Sequence, residues 1–136
     1  MENEKQKLFE KGLDILLVED DNFLASILTK TLNNDGAKVV HAESGKSAID
    51  NLETFTPQVI LLDLMLPGEI DGFGVLQKIR DSEKTKNAIV IILSNMQEEP
   101  QITRAKALHA DAYMIKATVT PDAVAKKIKT ILDTKK

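Results

Sequence analysis

The sequence of 136 residues contains no cysteine and only two histidines, His41 and His109. The absence of cysteine excludes disulfides, thiol catalysis and zinc or iron–sulfur sites with cysteine ligands. Two histidines are too few for a histidine-rich metal centre. No apolar run approaches the roughly 20 residues of a membrane span, and the charged amino end MENEKQKLFEKG lacks the apolar stretch of a secretory signal. We therefore expect a cytoplasmic protein without a membrane partner.

An excess of positive charge is also missing. The 18 basic and 21 acidic residues give a net charge of −3, which argues against nucleic acid as a partner bound through charge alone. What the chain does have is a globular composition, with 43% hydrophobic and 29% charged residues. Its length corresponds to one domain, and a domain of this size buries roughly two thirds of the surface that its unfolded chain exposes.

Five short apolar runs recur at regular intervals, and each has the length and the Val, Ile and Leu content of a strand buried on both faces. They are DILLV from Asp14, AKVV from Ala37, QVILL from Gln58, AIVII from Ala88 and AYMI from Ala112. The segments after them have helical apolar spacing, of which the first stripe comprises Phe23, Leu24, Ile27, Leu28 and Leu32. The alternation predicts an α/β fold, a doubly wound five-stranded parallel sheet with helices on both faces.

Capping residues support the predicted helices. Asp21 is expected to cap the first helix rather than bind metal, and Gly36 has the place of a left-handed residue after that helix. Pro100 and Thr120-Pro121-Asp122 are typical of the starts of the fourth and fifth helices. Residues 1–11 are expected to form either a short helix that packs Leu8 and Phe9 or an unstructured tail.

Polar residues end the predicted strands, and in such a sheet all the carboxyl ends of the strands lie along one edge, where ligands bind. The first run ends in Glu19-Asp20-Asp21, the third in Asp63, the fourth in Ser94 and the fifth in Lys116, while the second ends in His41-Ala42-Glu43. Neighbouring carboxylates repel each other, and a hard cation such as Mg²⁺ relieves this repulsion. A lysine and a hydroxyl could hold phosphoryl oxygens, and a carboxylate can act as the nucleophile.

The sequence resembles the receiver domain of two-component response regulators. The resemblance is carried by ILLVEDD from Ile15, VILLDLMLPGEIDG from Val59, IVIILS from Ile89 and DAYMIK from Asp111. It implies a flavodoxin-like (βα)5 fold with strand order 2-1-3-4-5. It also implies an amino-terminal extension over residues 1–12, a receiver domain over residues 13–134 and a tail over residues 135–136.

The resemblance assigns a role to each matching residue. Asp63 corresponds to the aspartate that is phosphorylated by a histidine kinase or phosphotransfer protein. The Mg²⁺ cofactor would be held by Asp20, Asp63, the Met65 carbonyl and, through water, Glu19. Ser94 and Lys116 would bind the phosphoryl group, and Tyr113 would turn inward when the Ser94 hydroxyl is engaged.

Three positions depart from the family pattern. Ala117 follows Lys116 where the family usually has a proline, often after a cis peptide, so we expect a trans bond here. Asn95 occupies a position usually held by a small residue and could slow the access of water or small phosphodonors. His109 stands where glycine is common, and histidine tolerates the left-handed region better than most residues.

The function expected from the resemblance is a phosphorylation-dependent signalling switch, not an enzyme, that acts on an unknown downstream protein. Its signals would leave through the fourth helix, fifth strand and fifth helix, with a phosphorylation-dependent homodimer as one form. Because the motifs fill the chain, no DNA-binding effector is expected to follow. Two alternatives stay open: a degenerate receiver that binds partners without phosphorylation, and an aspartyl-phosphate phosphatase of the haloacid dehalogenase type. The latter has a second aspartate where this chain has Met65.

Overall fold

A computed structural model describes residues 7–135 of the chain. Five parallel strands form one sheet in the order β2-β1-β3-β4-β5, which confirms the predicted flavodoxin-like fold. The strands are β1 (Asp14–Val18), β2 (Lys38–Ala42), β3 (Val59–Leu62), β4 (Ile89–Ser94) and β5 (Ala112–Ile115). A helix follows each strand: α1 (Asn22–Asn34), α2 (Gly45–Leu52), α3 (Gly72–Asp81), α4 (Glu99–Ala107) and α5 (Pro121–Thr134).

The sheet separates two hydrophobic clusters, and the strands differ in how deeply they lie between them. Strands β3 and β4 are buried along their whole length, and β1 is buried after its first residue. The prediction that every strand is buried on both faces is wrong for β2 and β5, which lie at the edges and are mostly half-buried. An edge strand has a neighbour on one side only, so sequence content alone overstates its burial.

The predicted helix caps are confirmed. The Asp21 carboxylate accepts hydrogen bonds from the backbone N–H groups of Phe23 and Leu24. The Thr120 hydroxyl accepts from Ala123 N–H at the start of α5, and Gly36 has a φ of 102° just after α1. α4 also contains Pro100 in its first turn, as expected.

The predicted apolar stripe on α1 is only partly buried, since Leu24 and Ile27 are half-buried and Phe23 lies outside the core. Phe23 is 75% exposed, whereas Ala25, Leu28 and Leu32 are buried. Phe23 stands in the first turn of α1, and helical spacing alone did not show that it is exposed there.

The segment that precedes β1 packs on the core. Phe9 is buried, Leu8 packs against the same cluster, and Phe9 N–H donates to the Asp35 carbonyl. The predicted helix falls partly on residues 1–6, which lie outside the described residues, and residues 7–11 are not helical. Within the described part of the chain, no helix is long and apolar enough to cross a membrane.

Candidate functional site

The site lies at the carboxyl end of the sheet, as the strand order dictates. β1 and β3 are neighbours, so Glu19 and Asp20 after β1 come beside Asp63 after β3. One carboxylate oxygen from each of these three residues lies within 4.8 Å of the other two, with Glu19 and Asp63 buried and Asp20 exposed. The structure therefore brings together the three acidic residues that the sequence predicted for the metal site.

Lys116 joins this cluster from the end of β5. Its Nζ lies 2.8 Å from Asp63 Oδ2 and 3.0 Å from Glu19 Oε1. Lys116 N–H also donates to the Ser94 carbonyl, which ties the end of β5 to the end of β4. One ammonium group thus pairs with two of the three carboxylates, so the acidic side chains of this cluster outnumber the basic one.

Burial and charge shift the proton affinities of the paired groups. Desolvation is the main cause that raises the pKa of Glu19, and the Asp21 N–H and Lys116 offset it only in part. Burial alone would lower the pKa of Lys116, but its hydrogen bonds to Asp63 and Glu19 raise the pKa overall. The ammonium is therefore held in its charged form, while Glu19 carries the cost of a buried carboxylate.

The loop after β3 brings the helix α3 close to Asp63. Asp63 Oδ1 accepts a hydrogen bond from Met65 N–H at 3.1 Å, and Gly72 N–H donates to the Leu64 carbonyl at 3.0 Å. A Cβ atom at Gly72 would overlap the Asp63 carbonyl oxygen and the Leu64 Cα. Gly72 is a residue whose role sequence reasoning missed; the sequence shows it only as a glycine after an N-capping aspartate.

Ser94 and Tyr113 lie at the same edge and share a backbone neighbour. Ser94 is fully buried, and its Oγ accepts from Met96 N–H at 3.2 Å. The Tyr113 hydroxyl donates to the Met96 carbonyl at 2.8 Å, and burial is the main cause that raises the pKa of this phenol. The aromatic ring and the serine are thus both connected to the loop that follows β4.

The positions that depart from the family pattern are also defined. Asn95 Oδ1 accepts from Ala117 N–H at 2.8 Å, which links the loop after β4 with the loop after β5. No cis peptide occurs among residues 7–135, so the expected trans bond before Ala117 is confirmed. His109 has a φ of 65°, as its place in a glycine-favouring position predicted.

Met65 is the predicted residue whose side chain stays away from the cluster. Its side chain is 60% exposed, and its backbone N–H is what contacts Asp63. The role that the resemblance gives to its carbonyl concerns the backbone, so the exposed side chain is compatible with that role.

Comparison with known proteins identifies the family to which this chain is similar. Residues 15–129 match the family model of the response regulator receiver domain. The response regulator protein GraR of Staphylococcus epidermidis is 35% identical over 114 residues, which are 84% of this chain and 49% of GraR. The chain therefore spans about half the length of this curated relative.

Solved structures agree in fold. The signal receiver domain of a DNA binding response regulator protein from Colwellia psychrerythraea superposes with a TM-score of 0.79 at 33% identity, covering 89% of this chain and 98% of that one. The phosphorylated cyanobacterial phytochrome response regulator RcpA gives a TM-score of 0.76 at 29% identity, with 88% and 91% covered. The chain belongs to the response regulator receiver domain family of two-component signalling.

Proposed function

We propose that this receiver domain is a phosphorylation-dependent signalling switch and that Asp63 is its phosphoacceptor. The observation that carries the proposal is the buried Asp63 carboxylate, which is paired with Lys116 inside a cluster of three carboxylates. A structural ion pair would need one carboxylate for one ammonium, so the additional acidic groups indicate a site for a cation and an anionic ligand.

The donor set fits Mg²⁺. Oxygen ligands from one or two carboxylates are typical of Mg²⁺ sites, and three carboxylates with oxygens within 4.8 Å can supply them. Asp20 and Asp63 would hold the ion directly together with the Met65 carbonyl, and Glu19 would act through water. When bound, the ion supplies charge neutralisation for the transferring phosphoryl oxygens.

The residues of the chain account for the rest of the transfer. An Asp63 carboxylate oxygen attacks the phosphorus of a phosphohistidine, the P–N bond breaks in line, and the electron pair leaves with the imidazole of the donor. Lys116 neutralises charge on the phosphoryl oxygens, and the Ser94 hydroxyl binds one of them. The product is an acyl phosphate on Asp63.

The switch would act through Ser94 and Tyr113. Movement of Ser94 towards the phosphoryl group would break its hydrogen bond with Met96 N–H, and the Tyr113 hydroxyl is bonded to the same residue. The loop after β4 would then shift, changing the population of states on the face formed by α4, β5 and α5. The partners are a histidine kinase or phosphotransfer protein and a downstream protein that recognises this face, with a phosphorylation-dependent homodimer as one form of output.

Intact mass spectrometry after incubation with Mg²⁺ and acetyl phosphate or phosphoramidate tests the phosphoacceptor. We expect one added phosphoryl group on the wild-type chain and none on Asp63→Asn. Asp50→Asn is the matched control, because Asp50 is an exposed aspartate paired with Lys46 on the surface of α2. A wild-type chain without an adduct under several donors would favour the degenerate receiver, and an unchanged adduct on Asp63→Asn would refute the assignment.

A further inference from the structure

His41 lies at the carboxyl end of the edge strand β2, beside the acidic cluster. Its half-buried ring places Nε2 at 2.7 Å from the backbone carbonyl oxygen of Glu19. Because a carbonyl oxygen only accepts hydrogen bonds, Nε2 carries a proton and donates it. The histidine therefore contacts the backbone that carries the acidic pair.

This contact continues the β1–β2 pairing at the point where backbone pairing stops. Glu19 N–H donates to the Ala42 carbonyl at 3.0 Å, which is the last backbone bond of the regular pattern. In a parallel ladder, the Glu19 carbonyl would next accept from a backbone N–H further along β2. β2 ends at Ala42, however, and the chain turns into α2 with Ser44 as its N-cap. The imidazole N–H supplies the donor in its place.

The hydrogen bond from His41 affects the proposed metal site because it holds the peptide group between Glu19 and Asp20. The Glu19 carbonyl and the Asp20 N–H belong to one planar unit, so a donor that fixes the carbonyl also fixes the direction in which Asp20 leaves β1. The Glu19 carboxylate is held separately, by Asp21 N–H and Lys116. The Asp20 carboxylate is exposed to solvent, and its placement depends on the backbone that carries it.

We propose that His41 is a positioning residue for the metal site. It orients the Glu19–Asp20 peptide so that the Asp20 carboxylate stays beside Glu19 and Asp63. The inference rests on the Mg²⁺ site of the proposed function, and it adds a residue that belongs to none of the four motifs of the family resemblance. Partners that orient metal ligands without touching the ion commonly control metal affinity.

The test compares three forms of the full chain: wild type, His41→Phe and His41→Gln. Phenylalanine keeps a ring of similar size without a donor, and the glutamine amide offers an N–H at a similar reach. We expect His41→Phe to raise the Mg²⁺ dissociation constant about tenfold in calorimetric titration. The dissociation constant of His41→Gln should stay within about threefold of the wild-type value. Thermal unfolding without divalent ions shows whether each variant is folded. The long-range ¹H–¹⁵N spectrum of wild-type His41 should show a proton on Nε2.

The outcomes separate the two proposals. Unchanged Mg²⁺ affinity in His41→Phe, together with clear loss of affinity in Asp20→Asn, would overturn the positioning role and leave the metal site intact. Equal weakening in His41→Phe and His41→Gln would assign the effect to packing and would also overturn it, as would a proton found on Nδ1 alone. A wild-type chain that does not bind Mg²⁺ would refute the proposed metal site and the inference with it.

Discussion

The two ends of the parallel sheet differ in how their charged side chains are paired. At the amino end of β4 and β5, the Arg80 guanidinium donates to the carbonyl oxygens of Lys86, Ala88 and His109 and to the Asp111 carboxylate. The side chains of Arg80 and Asp111 are only 13% and 18% exposed. Here the guanidinium is fully used within the protein, and it fastens three chain segments to each other.

The carboxyl end is arranged for interaction instead. The Lys116 ammonium pairs with Glu19 and Asp63, and the third carboxylate of the cluster, Asp20, is open to solvent. The amino end therefore joins its charged groups to backbone carbonyls and to each other, whereas the carboxyl end gathers more acidic than basic side chains in one cluster.

Removal of the guanidinium should give the largest loss of stability. Arg80→Ala leaves three carbonyl groups and Asp111 without this donor, so we expect the free energy of unfolding to fall by about 2–4 kcal/mol in urea titrations. Arg80→Lys should recover only part of the loss, because one ammonium cannot reproduce a fork of donors. Lys46→Ala, which removes an exposed pair with Asp50, is the control and should change stability by less than about 0.5 kcal/mol. Equal effects of Arg80→Ala and Lys46→Ala would remove the basis of the comparison.

A methyl group at Gly72 should displace the backbone beside Asp63 through a steric clash. The added Cβ meets the backbone of Asp63 and Leu64, so Gly72→Ala should lower stability by about 1–3 kcal/mol and slow the phosphorylation of Asp63. Gly74→Ala is the matched control on the same helix, since its Cβ would meet the Ile70 side chain at 3.2 Å and the Asp71 carboxylate at 3.6 Å, with no backbone in the way. Urea unfolding and phosphorylation time courses measure both effects. A Gly72→Ala chain as stable and as reactive as Gly74→Ala would contradict the close approach.

Of the three substitutions, neutralising Glu19 should change the free energy of unfolding least, and it should raise it rather than lower it. Its pKa is raised in the folded protein, so its contribution to stability is present below the unfolded pKa of 4.5 and is lost as the pH rises through the folded pKa. Glu19→Gln does not titrate, and it should therefore be slightly more stable than wild type at pH 7 when a chelator is present. Thermal unfolding from pH 4 to pH 7 should show this advantage growing with pH. An advantage that does not change with pH, or a variant less stable at pH 7, would contradict this account of the charge at the carboxyl end.

The elements that sequence reasoning predicted are those set by local pattern. The apolar runs located all five strands, and DILLV from Asp14 coincides with β1 (Asp14–Val18). The same logic brought Glu19, Asp63 and Lys116 to one edge, because residues that end parallel strands must meet there.

What the sequence could not supply depends on distant segments. Arg80 was visible only as a basic residue near the end of a helix, since its partners at His109 and Asp111 lie 29 and 31 residues away along the chain. The close approach of Gly72 to the backbone of Asp63 and Leu64 also could not be predicted, because it depends on how α3 packs beside the end of β3. Phe23 was misassigned because apolar spacing shows which side chains share a helix face but not which of them other segments cover.

The hydrogen bond from Ala117 N–H to Asn95 joins the two positions where the sequence analysis expected a proline and a small residue instead. A proline at position 117 would have no N–H to donate, and an alanine or glycine at position 95 would have no side-chain oxygen to accept. The two residues are therefore complementary, because Ala117 supplies the donor and Asn95 supplies the acceptor of the same hydrogen bond. Restoring the family residues one at a time should be non-additive, with epistasis between the two loops that flank Lys116 and Ser94.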